Sequence, residues 1–529
     1  MGPQIPSAEA SSRARWKVLF AVVFGVFMVI LDSTVVNVAF KTLQEEYAAD
    51  LNLTQWVLSV YVMALGIATP LSGFLGERFG EKRVFVAAIF TFGLSSLLCG
   101  LAPSLGLLIL FRALQGAAGG IATPLGTSLL YKAFPAEDRG KAMGVFGIAL
   151  VAAPALGPIL GGWLVDLGHW RWIFYINVPI ALLGTLLGSL WLPASSGSRA
   201  ARFDPLGLVF SAVGFGSLLY AASRASSVGW TAPEVVRFIL IGVVALLIFT
   251  LVELFVAKEP LLDLRLFGSG PFLVSTLTGW VSVLALFGAE FLMPLYLQVL
   301  RGRTALEAGV LLLPLALASA VATPISGRLF DRIGARPLAV VGFGLLAINT
   351  WQLSHITPET PIRTIQGLLA LRGLALGLTV QITMLVSLSV VPLNRTARAS
   401  SLVNATRQVV QSLGVALLAT ILASAMSASS SQQMASAERF TGEGTAAERV
   451  VLCGPDGAAT TGTVGRVTLP PQALGPIRTF CAEYTQGLEN AYAFTFYASL
   501  VALTLGAMMP GWPGKVVRRS DAVQVSTTD

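Results

Sequence analysis

Charge is the scarcest property of this chain of 529 residues, in which Asp, Glu, Lys and Arg together make up 12%. That is about half the share of a soluble domain. Histidine occurs twice and cysteine three times, with neither a CxxC nor an HxxxH spacing, so no metal cluster is expected. A Walker lysine loop and a Ser-His-Asp order are missing too, which removes a nucleotide-driven engine and any catalytic set. The net charge of +8 and the isoelectric point near 9.6 would suit nucleic acid. The bases, however, sit in short loops between apolar blocks, a pattern that orients membrane proteins, so no nucleic-acid partner is expected. A soluble enzyme, a disulfide-rich secreted module and a disordered scaffold are excluded on the same figures.

Apolar sequence is what the chain has in abundance: 55% of residues are hydrophobic and the mean hydropathy is +0.76. Roughly 20 apolar residues cross one bilayer, and fourteen such stretches follow one another, the first at 16–40 and the last at 488–509. The expected fold is an all-α polytopic membrane protein with both termini on one side. Triplets of bases choose that side: Arg13, Arg15 and Lys17, then Arg78, Lys82 and Arg83, then Lys132, Arg139 and Lys141, then Arg328, Arg332 and Arg336, and Lys515, Arg518 and Arg519. The short loops of the other face hold Lys41, Arg171, Arg224, Arg237, Arg301, Arg303 and Arg363. The bias predicts cytoplasmic termini. Asp32 directly after the first apolar run, with no small-residue cleavage pattern, argues for a retained helix rather than a signal peptide.

An internal repeat organises these stretches. Residues 68–83, with Ala-Thr-Pro-Leu-Ser-Gly leading into Glu77, Arg78 and Gly80, recur as residues 322–336, with Ala-Thr-Pro-Ile-Ser-Gly leading into Asp331, Arg332 and Gly334. Arg112 is echoed by Arg372, and residues 139–142 by residues 396–399. Stretches one to six therefore match nine to fourteen, and seven and eight are extra. The predicted organisation is a tail (1–15), a six-helix bundle (16–193), two inserted helices (194–265), a second six-helix bundle (266–510) and a second tail (511–529). Within the second bundle, polar residues 427–487 form an outer loop holding Cys453 and Cys481, which an oxidising compartment would join as a disulfide; two free thiols are the alternative.

A duplicated pair of six-helix halves with a site between them is a transporter architecture, and here the chain resembles the major facilitator superfamily, specifically its fourteen-helix drug:proton antiporters of the EmrB/QacA type. Residues 73–83 are similar to the family's G-x-L-a-D-R-x-G-R-K-R signature, with Gly73 for close approach, Gly80 for a tight turn, and Glu77 and Arg78 as ion-pairing groups. Glu77 replaces the usual Asp and Glu81 a base. Gly144, Gly157, Pro158, Gly161 and Gly162 resemble the antiporter motif, with Ala153 at one expected Gly. Residues 31–39 are close to the drug-exporter L-D-x-T-I-V-N-V-A run, and residues 112–116 to R-x-x-Q-G. The runs 170–179 and 203–207 carry further family marks.

The resemblance implies a major facilitator fold and proton-driven efflux, with no cofactor beyond the proton gradient. It assigns Asp32 and Arg112 to proton coupling, because an ionisable group in hydrocarbon must face protein or water and usually serves function. The open alternatives are an Asp32 capped by Ser33 or Asn37 and an Arg112 in a structural ion pair. Glu290 matches no signature; it is a second membrane acid that either joins the coupling or snorkels outward. Phe27, Trp56, Tyr61, Trp280, Phe287, Phe291 and Tyr296 are the expected aromatic wall of a substrate cavity, suited to lipophilic cations. Expected partners are small-molecule substrates, membrane lipids and, in a Gram-negative envelope, a periplasmic adaptor with an outer-membrane channel. The expected location is the bacterial cytoplasmic membrane. Export of one metabolite, a self-made antibiotic or a lipid remains the rival reading, and a non-transporting sensor a weaker one.

Overall fold

The computed structural model describes residues 8–195, 197, 203–257, 259–303, 305–426, 450–451, 460–461 and 471–511; the side chains of residues 8–11, 41, 51–52, 151, 155, 166, 226–227, 287–290, 305, 450–451, 460–461 and 471–478 lie outside the description. Helices dominate it. They are α1 (Ala8–Val35), α2 (Phe40–Glu46), α3 (Leu51–Ala68), α4 (Leu71–Phe79), α5 (Glu81–Leu101), α6 (Leu105–Ala133), α7 (Arg139–Asp166), α8 (Trp172–Tyr175) and α9 (Asn177–Trp191). Two more, α10 (Pro205–Val228) and α11 (Pro233–Leu251), precede α12 (Gly270–Leu295), α13 (Ala305–Leu311), α14 (Leu313–Ile333), α15 (Ala335–Leu353), α16 (Ile362–Ser389), α17 (Thr396–Ser424) and α18 (Pro471–Ala507). Outside the helices, Val450 and Val451 pair antiparallel with Thr461 and Thr460.

Among the described residues, eleven helical spans are long and apolar enough to cross a membrane, and a twelfth results if α3 and α4 are taken as one span bent by 54°. This is a multi-pass membrane protein. The bend falls at Pro70, which has no N–H to donate back along the helix. Its repeat counterpart Pro324 stays inside the unbroken α14. Two expected crossings, α15 and α18, are helical but fall outside the apolar set. Their polar residues explain it: α15 buries Asn349 and Thr350, and α18 carries Glu483, Gln486, Glu489 and Asn490.

The last helix also corrects the expected extent of the outer loop. At 37 residues α18 is about 55 Å long, well beyond a hydrocarbon core of about 30 Å. It begins at Pro471, so the last part of the segment read as loop is helical. Phe480, Tyr484, Leu488, Ala491 and Tyr492 form a buried stripe at helical spacing and pack into the core of the C-terminal helices. The polar residues between them kept the stripe below the hydropathy threshold.

Helices α1 to α9 pack mainly on one another, as do α12 to α18, and α7 and α14 make the broadest contact between the two sets. Small residues make that contact possible. A Cβ on Gly144 would lie 2.8 Å from Thr323 O and 3.1 Å from Pro324 Cα, and one on Gly327 would collide with Gly140 O. Toward the other end of α7, Gly161 leaves only 2.7 Å between an added Cβ and Val35 O, and Gly157 sits against Thr34. The helix therefore lies on α14 with one half and on α1 with the other. A second contact joins α4 to α17, where the Ser72 and Ser401 hydroxyls are 2.6 Å apart. Between the two sets, α10 touches both α3 and α17.

Gly144→Val should wedge α7 from α14 on the face that carries the basic loops. A cysteine placed at the buried Ser401 would then react several-fold faster with a membrane-impermeant maleimide added to that face. An unchanged rate would show that the glycine contact does not hold the face shut.

Candidate functional site

Asp32 lies in the last turn of α1 and is wholly buried. Ser33 and Asn37 do not cap it; the Ser33 hydroxyl donates to Ile30 O at 2.6 Å instead. Its partners come from other helices. Arg112 of α6 forms an ion pair with Oδ2, Gln115 Nε2 donates to Oδ1 at 3.0 Å, and Asn177 Nδ2 of α9 donates to the same oxygen at 2.8 Å. The guanidinium is itself over-determined: Nε donates to Val57 O at 3.1 Å, Nη1 to Gln115 Oε1 at 2.8 Å, and the Tyr61 ring lies 4.0 Å from Cζ. Asn177 also donates to Ser96 Oγ at 3.1 Å, which in turn donates to Phe174 O at 2.9 Å.

The arrangement joins a carboxylate and a guanidinium without water between them, each held by neutral donors or acceptors. Such a centre exists in two states. With the carboxylate ionised the pair is closed; with a proton on Asp32 the attraction to Arg112 is gone, while Gln115 and Val57 O still hold the guanidinium. Gln115 and Asn177 escaped the sequence reading as site residues. Both stood inside quoted motifs, and the available signal was a lone amide in an apolar helix.

Two clasps close the face with the basic loops. Glu77, at the end of α4, binds Arg398 Nη2 of α17 at 2.5 Å. Asp331, its repeat counterpart at the end of α14, accepts from the backbone N–H groups of Gly140 at 3.0 Å and Lys141 at 3.1 Å. Those donors are the unpaired first turn of α7, where a carboxylate also meets the positive end of the helix dipole. Thus the shorter acid caps a helix and the longer one reaches a side chain. Gly80 and Gly334, with φ of 92° and 82°, turn the chain after each clasp in the left-handed region. Arg78 and Arg332 lie in the last turns of α4 and α14. Glu81, the second departure from the signature, turns inward to Lys132 Nζ at 2.7 Å.

The residues expected as an aromatic wall have separate partners in this structure. Tyr61 and Tyr296 are buried, and each hydroxyl donates to a carbonyl: Val29 O at 2.8 Å and Thr357 O at 2.7 Å. Trp56 stacks on Tyr220 of α10, with centroids 5.8 Å apart. Trp280 donates to Thr406 Oγ1 at 3.0 Å; Phe27 and Phe291 are half-buried. The side chains of Phe287 and Glu290 lie outside the described residues. A cavity of about 660 Å³ opens elsewhere, between Glu77, Lys132, Glu259, Asp263, Arg265 and Arg398. Arg372, the echo of Arg112, donates to Ala285 O at 2.8 Å and Leu286 O at 2.9 Å. Of the cysteines, Cys99 is a free thiol and Cys481 is disulfide-bonded; Cys453 lies outside the described residues. Pro158 and Gly162 face α13, through Gly309 and Leu306.

Residues 22–415 match the Major Facilitator Superfamily. The chain belongs to that family. It is 35% identical to the multidrug export protein EmrB of Haemophilus influenzae, over 75% of this chain and 78% of that one. It is 30% identical to a multidrug resistance protein B homolog of Mycobacterium tuberculosis, over 91% and 87%. Among solved structures, the human organic anion transporter MFSD10 superposes with a TM-score of 0.60 at 12% identity, covering 93% of this chain and 99% of that one. The proton:xylose symporter XylE does so with 0.58 at 16%, over 77% and 88%. The chain therefore has the major facilitator fold and is a membrane transporter.

Arg112→Met strands the Asp32 carboxylate in a dry site and should destabilise the protein by about 3–5 kcal/mol. Thermal unfolding in detergent would read this as a clear drop in midpoint. Asp32→Leu with Arg112→Met should recover much of the loss; a double variant as unstable as the single one would mean that the pair is not the unit of stability.

Proposed function

We propose that this transporter exports lipophilic, cationic compounds in exchange for protons, from a bacterial cytoplasmic membrane that it crosses fourteen times with both termini in the cytoplasm. Two six-helix bundles, 16–193 and 266–510, flank the inserted pair 194–265 in this reading. The observation that carries it is the buried Asp32–Arg112 pair, a protonatable group that closes or releases one ionic contact inside the membrane. The likeness to EmrB proteins supports the cargo class. No cofactor enters the cycle; the proton gradient supplies the energy, by way of this chain's own carboxylate.

The coupling follows from where α7 lies. Thr34 and Val35, just after Asp32, rest on Gly157 and Gly161 of α7, and the other end of α7 is capped by Asp331. Protonation of Asp32 loosens α1 from α6, and a shift of α1 moves the rod that the clasp holds. Substrate and proton then compete through shared conformation, each favouring a different face of the alternating cycle. An adaptor protein and an outer-membrane channel would join only in a cell with two membranes, on the outer side.

Reconstitution in liposomes with an imposed pH gradient and a fluorescent lipophilic cation tests the proposal. Wild type should move the cation, and Asp32→Asn should lose gradient-driven movement while remaining folded. If Glu290→Gln fails and Asp32→Asn does not, the proton site lies on α12 instead. A wild type that moves no cation would transfer the case to a metabolite or lipid cargo.

A further inference from the structure

A second pair of acidic groups sits at the inner end of the inserted helices. Asp204 caps α10, its Oδ1 accepting from Gly207 N at 2.8 Å. Glu253 lies in the π-turn Val252–Val256 that ends α11, and is 1% exposed. Its Oε1 accepts from Leu261 N at 3.1 Å and Leu262 N at 3.4 Å, in the linker to α12. The other oxygen of each group, Asp204 Oδ2 and Glu253 Oε2, is buried and has no hydrogen-bond partner. Both carboxylates crowd one point: a Cβ on Gly207 would touch Asp204 Oδ2 and lie 2.8 Å from Glu253 Oε1.

We propose that Glu253 and Asp204 hold one proton between them and form a second proton site, at the opposite face from Asp32. Two ionised carboxylates this close, one of them buried, repel each other, and a single proton removes one charge. The same proton supplies a donor where both carboxylates have an oxygen without one. Among the described residues, the charged groups that act on Glu253 are Asp204 of α10 and Arg398 of α17. Arg398 is engaged by Glu77 at 2.5 Å and by Glu259 at 3.8 Å, and Asp263 of the linker is taken by Arg395 at 3.2 Å.

The site is coupled to the inner closure through the linker. Glu253 holds the linker amides, and Glu259 and Asp263 tie the linker to the start of α17. Loss of the shared proton leaves two facing negative charges under that tie and weakens it. The site therefore reads cytoplasmic pH at the clasp, whatever the cargo, and does not depend on the drug-export reading.

The full-length protein without substrate is sufficient for the test. In wild type the infrared carbonyl stretch of a protonated carboxylic acid should persist at neutral pH, disappear in Glu253→Gln and in Asp204→Asn, and survive in Asp32→Asn. Potentiometric titration through the neutral range should release one proton more per chain from wild type than from Glu253→Gln. Thermal stability of wild type should fall as pH rises through that range, because the folded pair keeps a proton that the unfolded acids have already lost. Glu253→Gln, whose amide N–H can donate to Asp204, should lack that slope. A band lost only in Asp32→Asn, equal proton release, or stabilisation of wild type by sodium or magnesium in place of the proton would overturn the proposal. Should Glu253→Gln fail to fold, Asp204→Asn carries the same comparison.

Discussion

A carboxylate and a guanidinium placed inside hydrocarbon must find each other and also fill their remaining hydrogen-bonding positions, and the N-terminal helices are arranged around this demand. Arg112 Nε reaches Val57 O only because α6 lies almost backbone to backbone on α3. Gly116 and Gly120 sit against the carbonyls of Tyr61 and Leu65, where any Cβ would collide. From the other side α9 supplies Asn177 and α5 supplies Ser96. Five helices thus converge on one charge pair. Replacing either ion disturbs all of them, because the desolvation of the survivor is no longer offset.

The fold class and the membrane acids were legible in the sequence because each departs sharply from its background: long apolar runs, and one Asp or Arg within them. The family resemblance added the order of the motifs. What stayed hidden depends on relations between distant segments. The partner of Asp32 among nearby groups cannot be read from α1 alone, and the roles of Gln115 and Asn177 appear only when α6 and α9 are placed. The setting of the aromatic residues was hidden for a related reason. Tyr61 and Tyr296 look like cavity residues by type, yet a tyrosine hydroxyl in an apolar bundle takes the first free carbonyl, and the ring follows it inward. The true start of α18 was obscured because hydropathy averages over the polar face that flanks its buried stripe.

Duplication left the two halves with corresponding acids, and the structure uses them differently. Asp331 is short enough to sit against backbone N–H groups, a contact that depends on the first turn of α7 and not on any side chain there. Glu77 extends past the equivalent position to Arg398, which also attracts Glu259. One clasp is therefore set by geometry, and the other by a charge that several acids share. Their sensitivities should differ accordingly: the first to distortion of α7, the second to salt and to the state of the linker.

The position of α10, in contact with both α3 and α17, bears on how the protein is made. Its hydroxyl pair with the first set, Ser223 with Ser59 at 2.9 Å, is complete as soon as the first ten helices exist. The opposite flank of α10 must wait until α17 is synthesised, almost two hundred residues later. Helix α10 is thus laid down against its first partner well before its second partner exists.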